Sequence, residues 1–216
     1  MNNDLQELAA QLRQPSGEKG LMIGDMMNTT NIKMSLQSID KLHLKNNDAV
    51  LELGHGKCGH LDYLMNKAEN LSYHGLEISE LMHREAQKQN AERIEKKQAL
   101  FSLFDGNNIP FPDDTFNRVF TVNTIYFWQS PLEYLTEIYR VLTTGGILNI
   151  TFAHKEFMQQ LPFTQFGFTL YHTGDVQNLI SKTPFSKTEI NSESEMIPNK
   201  LGEMVKRDFS TISCYK

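Results

Sequence analysis

Glu52-Leu53-Gly54-His55-Gly56-Lys57-Cys58-Gly59 sets an acid, three glycines and a thiol between an apolar run, Ala49 to Leu53, and a stripe of Leu61, Leu64, Met65 and Ala68. Apolar residues at i, i+3, i+4 and i+7 mark a helix face. Glycines ahead of it let the backbone turn tightly and let a ligand approach where a Cβ would block it. The helix N-terminus behind them offers unpaired N–H groups to an anionic ligand group. This is the chemistry of a nucleotide-type cofactor loop. Further acids stand at strand ends, Glu77 in Gly75-Leu76-Glu77-Ile78-Ser79 and Asp105 in Phe104-Asp105-Gly106.

The elements that must position these residues can be read from the pattern. Leu5 to Leu12 is an amphipathic helix, broken by Pro15-Ser16-Gly17; Gly20 to Asn31 reads as an irregular, Met-rich connection, and Met34 to Leu44 as a helix. From Asp48 the pattern alternates: strand 49–53, helix 60–68, strand 72–77, helix 79–95, strands 98–103 and 117–122, helix 131–142, strand 146–152. Strands alternating with helices imply βαβ crossovers and a parallel sheet covered on both faces. The aromatic-rich, turn-rich segment His154 to Thr173 leads to a short helix, Gly174 to Ile180. Two β segments, about 185–191 and 207–215, end the chain around a polar loop. Such a hairpin supplies the antiparallel edge. The expected fold is α/β: a Rossmann-like, doubly wound, mostly parallel seven-stranded sheet with an antiparallel C-terminal strand. An N-terminal helical extension or lid (1–45) precedes a cofactor-binding domain (46–216).

Composition narrows the class. A net charge of −5 argues against a nucleic-acid partner, which usually meets a basic face. The two cysteines, Cys58 and Cys214, build no disulfide framework. The N-terminus lacks the pattern of a signal peptide, and no apolar run approaches bilayer length. A cytoplasmic protein without an integral membrane segment is expected.

Gly54-x-Gly56-x-x-Gly59 fits the dinucleotide fingerprint, with Glu77 at about the distance expected of a ribose-binding acid. Other features favour S-adenosylmethionine. Glu52 beside the loop would repel a pyrophosphate but attract an ammonium and a sulfonium. The loop follows a helical extension instead of opening the chain. Asp105 ends the third strand and leads through Ile109-Pro110-Phe111-Pro112-Asp113 into the fourth. With Glu137-Ile138-Tyr139-Arg140-Val141-Leu142 and Gly145-Gly146 following in order, the chain resembles the class I S-adenosylmethionine-dependent methyltransferases of the type 11 group, which includes quinone-biosynthesis and small-molecule enzymes. The resemblance is strong over about 46–152. One departure is that the family's third loop glycine falls where Cys58 stands, with Gly59 one place late.

The resemblance implies S-adenosyl-L-methionine as cofactor, S-adenosyl-L-homocysteine as product, and a small, partly apolar methyl acceptor. It implies that the Gly54, His55 and Gly56 segment holds the methionine portion with Glu52 near its amino group, and that Glu77 accepts both ribose hydroxyls. Asp105 would accept the adenine amino group with Gly106 giving close approach, and Ile78 and Ile109 would sandwich the ring. Asn123 lies in the strand-four exit that runs under the methionine portion and faces the acceptor, and Met27 would fold over the cofactor. Each has a plainer reading: Glu77 as an acid at a helix start, Asp105 in an Asx-turn, Ile78 and Ile109 as core, Met27 as packing.

Tyr126, Phe127 and Trp128 suggest an aromatic wall, or simply packing beneath helix 131–142. A hydroxyl or acidic carbon acceptor would need a general base, for which His154, His172 and Tyr126 are the candidates. His55, Cys58 and His60 lack a recognisable zinc spacing, so no metal is expected. Two rival functions remain: an S-adenosylmethionine-binding protein without catalysis, and an NAD-dependent oxidoreductase, which would need a catalytic Tyr-x-x-x-Lys or equivalent pair in its strand context.

Overall fold

The computed structural model describes residues 2–198 and 202–216. Helices α1 (Asn2–Arg13), α2 (Gly17–Thr30) and α3 (Ile32–Asp40) precede β1 (Ala49–Leu53), α4 (Leu61–Met65) and β2 (Ser72–Glu77). Then follow α5 (Glu80–Gln89), α6 (Ala91–Glu95), β3 (Ala99–Leu103), β4 (Phe116–Val122), α7 (Pro131–Val141) and β5 (Leu142–Ala153). The chain ends with α8 (Lys155–Met158), α9 (Thr173–Ile180), β6 (Lys187–Pro198) and β7 (Met204–Tyr215).

The strands form one sheet in the order β3-β2-β1-β4-β5-β7-β6. Neighbours from β3 to β5 are parallel, whereas β7 runs antiparallel to both β5 and β6, so β7 alone is reversed. This is the expected doubly wound, mostly parallel sheet. Its order reverses between β1 and β4, the switch point outside which open α/β sheets bind ligands.

Both faces of the sheet are covered because its strands are apolar on both sides. Leu51, Leu53, Val119, Leu148 and Ile150 face one core with Leu135 and Ile138 of α7 and Val176 and Ile180 of α9. Val50, Tyr73, Phe101 and Phe120 face the other with Ile39 of α3, Leu61 and Leu64 of α4 and Ala86 of α5. Alternate residues of β1 thus enter opposite cores, as the two-residue period of a strand requires. Helix α7 starts with Pro131 in its first turn, a position where a missing N–H costs nothing.

Several boundaries differ from expectation, among them the end of α3 at Asp40 and the start of β5 at Leu142. Gly20 to Asn31 is not irregular but lies mostly within α2. Its glycines are a packing face: a Cβ at Gly20 would stand 2.8 Å from the Pro15 carbonyl carbon, and one at Gly24 would stand 2.6 Å from the Met82 Cε. The helix expected over 79–95 is divided at Asn90, whose amide nitrogen donates to Ala86 O and Cys58 O. The helix expected over 60–68 is shorter, and the final strands are longer. Residues 199–201 of the polar loop lie outside the described residues. Helix α2 packs on α5, and α1 packs on residues 162–165 after β5, so the N-terminal helices lie across the carboxyl ends of the strands.

Candidate functional site

A cavity of about 410 Å³ opens at the carboxyl ends of β1 to β4 beneath the N-terminal helices. It is lined by Glu52, Gly54, His55, Gly56, Glu77, Ile78, Asp105, Gly106 and Asn123, and by Met27 of α2. Residues distant in sequence meet here because parallel register brings the strand ends to one edge, Leu53 beside Leu76 and Glu77 beside Leu103.

The turn after β1 is built for close approach. Gly54 and Gly56 have φ of 75° and 56°, in the left-handed region that glycine adopts without cost, and nothing lies within 4 Å of where a Gly56 Cβ would stand. Cys58 also holds a left-handed φ of 53°, although it carries a side chain. That conformation costs roughly 1–2 kcal/mol for an L-residue. Buried contacts of the thiol offset it: Sγ lies 3.2 Å from Tyr73 Oη and 4.0 Å from His60 Nε2. Gly59 does a different job. Its N–H donates to Asn28 Oδ1 at 3.2 Å, and a Cβ there would sit 2.7 Å from that oxygen.

Glu52 is buried, and its Oε2 faces His60 Nε2 at 2.8 Å and accepts from Tyr73 Oη at 2.5 Å. Burial opposes a charge on His60, but the attraction of Glu52 and the hydrogen bonds to Glu52 and Cys58 outweigh it and hold the imidazole pKa well above its ordinary value. His60 is therefore an imidazolium facing the Glu52 side chain. Burial pushes the Cys58 thiol pKa up, which keeps it protonated. Spacing alone pointed away from a metal, yet Glu52, Cys58 and His60 bring ligand-type atoms within 4.8 Å of one another. Glu52 enters from the strand, which no Cys/His spacing reveals, and the group is engaged in hydrogen bonds with itself and Tyr73.

His55 packs edge-on against Phe101 at 4.9 Å between ring centroids, and its Nδ1 meets Gly56 O at 2.8 Å. A carbonyl only accepts, so Nδ1 carries the proton and Nε2 is a buried acceptor without a partner among the described residues. Burial lowers its pKa, and the ring is neutral.

Glu77 is held by the backbone. Its Oε2 accepts the Gly56 N–H at 2.9 Å, and its Oε1 accepts those of Ile78 and Ser79 at 2.9 and 3.0 Å. A carboxylate has about four lone-pair sites, so capacity remains for hydroxyl donors. Asp105 caps its own turn, Oδ1 accepting from Asn107 N and Asn108 N at 2.8 Å each, which holds its pKa below the ordinary carboxylate value. The Asx-turn and the cavity-lining position are thus both present. Ile78 lines the cavity; Ile109 does not, being buried in the core. The open cradle at Gly56, the unpartnered His55 nitrogen and the acids at two strand ends fit a polyhydroxylated, cationic cofactor such as S-adenosylmethionine.

Phe127 and Trp128 line the cavity, and Trp128 Nε1 donates to Thr124 Oγ1 at 3.2 Å. The three candidate bases lie elsewhere. Tyr126 is buried behind the wall, its hydroxyl facing Asn123 Oδ1 at 3.1 Å and Ala153 O at 3.0 Å. Burial raises its pKa. His154 meets Ser210 Oγ at 2.7 Å, and His172 meets Glu156 Oε1 at 2.8 Å. Neither is among the residues lining the cavity. Asn28, expected beside Met27 over the cofactor, lines the cavity, whereas sequence reasoning missed Asn31 and Ser35, which line it too. All three continue the three- and four-residue spacing of Gly20 and Gly24, so a polar stripe on the glycine face would have been the signal.

Comparison with known proteins points to the same family. Residues 51–150 match the type 11 family described as "Methyltransferase domain". Over 136 residues the chain is 25% identical to a protein of Bacillus subtilis (strain 168) described as "Uncharacterized methyltransferase YdaC", covering 63% of this chain and 73% of that one. The chain thus carries a methyltransferase domain of the type 11 group over residues 51–150. As a class I enzyme of this group it uses S-adenosylmethionine. The methyltransferase is also 30% identical over 109 residues to a fatty-acid O-methyltransferase of Mycolicibacterium smegmatis, covering 50% of this chain and 38% of that protein. Its fold matches a SAM-dependent methyltransferase from Aquifex aeolicus with a TM-score of 0.66 at 18% identity, covering 98% of each chain.

Proposed function

We propose that this methyltransferase transfers the methyl group of S-adenosylmethionine to a small, partly apolar molecule, under a lid formed by its first three helices. The observation that carries the reading is the cavity: about 410 Å³, roofed by helices, with acids toward β2 and β3 and amides and aromatics beyond β1. Pockets of about 300–1,000 Å³ are the size that holds small ligands. Similarity to a fatty-acid O-methyltransferase supports an apolar acceptor.

In this reading Glu77 holds the ribose hydroxyls, Asp105 and Gly106 meet the adenine with Ile78 beneath it, and Gly54, His55 and Gly56 carry the methionine portion. Glu52, neutralised in part by His60, faces the amino group, and the Asn28 amide N–H faces the carboxylate. The bound cofactor supplies an activated methyl on a sulfonium. Much of the catalysis is then positioning, with Asn123 and Phe127 bounding the acceptor and Met27 excluding water. No solvated base is required where the nucleophile arrives deprotonated.

The test is incubation with methyl-labelled S-adenosylmethionine and, separately, a panel of small apolar acids, phenols and amines, a protein extract and RNA. Label in the small-molecule fraction is expected. Label confined to protein or RNA would contradict the reading.

A further inference from the structure

Sheet order lays the cavity out along one axis. Glu77 and Asp105 follow β2 and β3, the glycine turn follows β1, and Asn123 follows β4 on the far side of the switch point. At that far end Asn123 is joined by Asn31 and Ser35 from the α2–α3 junction. The orientation of both amides is dictated by what holds them.

Arg207 Nη1 donates to Asn31 Oδ1 at 3.0 Å. A guanidinium has no acceptor, so the atom facing it must be the carbonyl oxygen, and Nδ2 is left as the free donor. The Ala153 backbone N–H, also donor-only, meets Asn123 Oδ1 at 3.3 Å, and the Tyr126 hydroxyl meets the same oxygen. Asn123 Nδ2 is left with only Met34 Sδ at 3.5 Å, a weak acceptor. Asn123 holds this arrangement at a left-handed φ of 57°.

Arg207 is itself fixed: it is buried, paired with Glu195 at 2.6 Å, and donates to Thr30 O at 2.6 Å. A charged donor on the Asn31 oxygen polarises the amide and strengthens its N–H donors. Ser35 follows Asn31 by one helical turn, its backbone N–H donating to Asn31 O at 3.0 Å, so both lie on the same helix side. Beside Asn123, Phe127 brings an apolar surface backed by Phe168 at 4.6 Å between ring centroids.

We infer that this end of the cavity is a subsite for a carboxylate, and that the acceptor is a small apolar carboxylic acid methylated on oxygen. The inference rests on the reading of the cavity as a methyl-donor site and names its acceptor class. Two oriented amide donors and a hydroxyl suit an acceptor-only oxygen anion and leave a protonated amine, which only donates, without partners. Asn31, Ser35, Asn123 and Phe127 include no general base, and a carboxylate needs none. One carboxylate oxygen rests on the donors while the other attacks the methyl carbon. The new O–CH₃ bond forms as the C–S bond breaks, with its electron pair remaining on sulfur. Carboxylate and sulfonium become ester and thioether, both neutral, and no proton is released.

The experiment uses the full chain with labelled S-adenosylmethionine and octanoate, benzoate, octanol and octylamine, methyl products being separated by gas chromatography. Calorimetry with S-adenosylhomocysteine runs in parallel. Methyl octanoate or methyl benzoate is expected, with no N-methyl product. Asn31→Asp keeps the bond to Arg207 but turns the free donor into a repelling oxygen. It should lower kcat/KM for the acid at least tenfold while the S-adenosylhomocysteine affinity stays within about twofold. Ser35→Ala, which disturbs no hydrogen bond shown by the structure, should lower it several-fold. Product from octylamine or octanol alone, or no ester from a protein that binds S-adenosylhomocysteine, overturns the acceptor assignment and leaves the cofactor site standing. Ester formation unaffected by Asn31→Asp overturns the subsite. Failure to bind S-adenosylhomocysteine at all would overturn the reading beneath both.

Discussion

Glu77 stitches together the turn after β1 and the turn after β2, and in the proposed complex it also holds the cofactor's ribose. The two duties predict separable effects. Glu77→Ala should weaken S-adenosylhomocysteine binding by about tenfold or more, since hydrogen bonds to charged groups contribute about 1.5–3 kcal/mol each. It should also lower unfolding stability by about 1–3 kcal/mol, because the Gly56, Ile78 and Ser79 N–H groups lose their acceptor. Calorimetry reads the first effect and urea unfolding the second. The buried Glu52–His60 pair predicts a pH dependence with a definite sign. The folded pKa of His60 is raised, so its contribution is fully present below the ordinary value of 6.5 and is lost as pH climbs through the raised folded value. The stability difference between the parent and His60→Gln should therefore shrink from pH 6 to pH 9. A difference that grows with pH would contradict the imidazolium assignment.

At the scale of elements, α2 shows how one composition can carry two meanings. Gly20 and Gly24 read as helix breakers, yet each marks a place where the helix comes too close to a neighbour for a Cβ. The two contacts predict different outcomes. Gly20→Ala drives its Cβ against Pro15 backbone, whereas the atom met at Gly24 is the end of the flexible Met82 side chain. Alanine gains about 1 kcal/mol of helix propensity over glycine, while overpacking costs about 1–3 kcal/mol. Gly24→Ala should therefore match or exceed the parent in urea unfolding, and Gly20→Ala should fall below it. Strands β1 and β2 were legible to the residue because their apolar runs are local and bounded by turns. Strand β6 was legible only in part: it is the sheet's edge, exposed or half-buried throughout, and carries no burial signature. Of the site, the glycine turn and the acids at strand ends announced themselves by position. Tyr73 and His60, which hold Glu52, did not, because parallel register and a loop's return path leave no trace in spacing.

Across the whole molecule, the β6–β7 hairpin braces the N-terminal helices from the opposite end of the sheet. Arg207 ties β7 to the α2–α3 junction, and Lys33 Nζ donates to Ser194 O at 3.0 Å. Arg207→Met leaves the Glu195 side chain, 8% exposed, without its counter-charge, a loss of about 3–5 kcal/mol in comparable buried pairs. Amide hydrogen exchange in α2 and α3 should then quicken more than in β1 or β4, because the brace fails before the sheet does. In the proposed complex these helices and strand ends enclose an S-adenosylmethionine site read by Glu77. Calorimetric titration of the parent and of Glu77→Ala with S-adenosylhomocysteine and with NADH tests it most directly. Saturable binding of S-adenosylhomocysteine that Glu77→Ala weakens at least tenfold is expected, with no heat from NADH. Binding of NADH alone, or S-adenosylhomocysteine binding indifferent to Glu77, would contradict it.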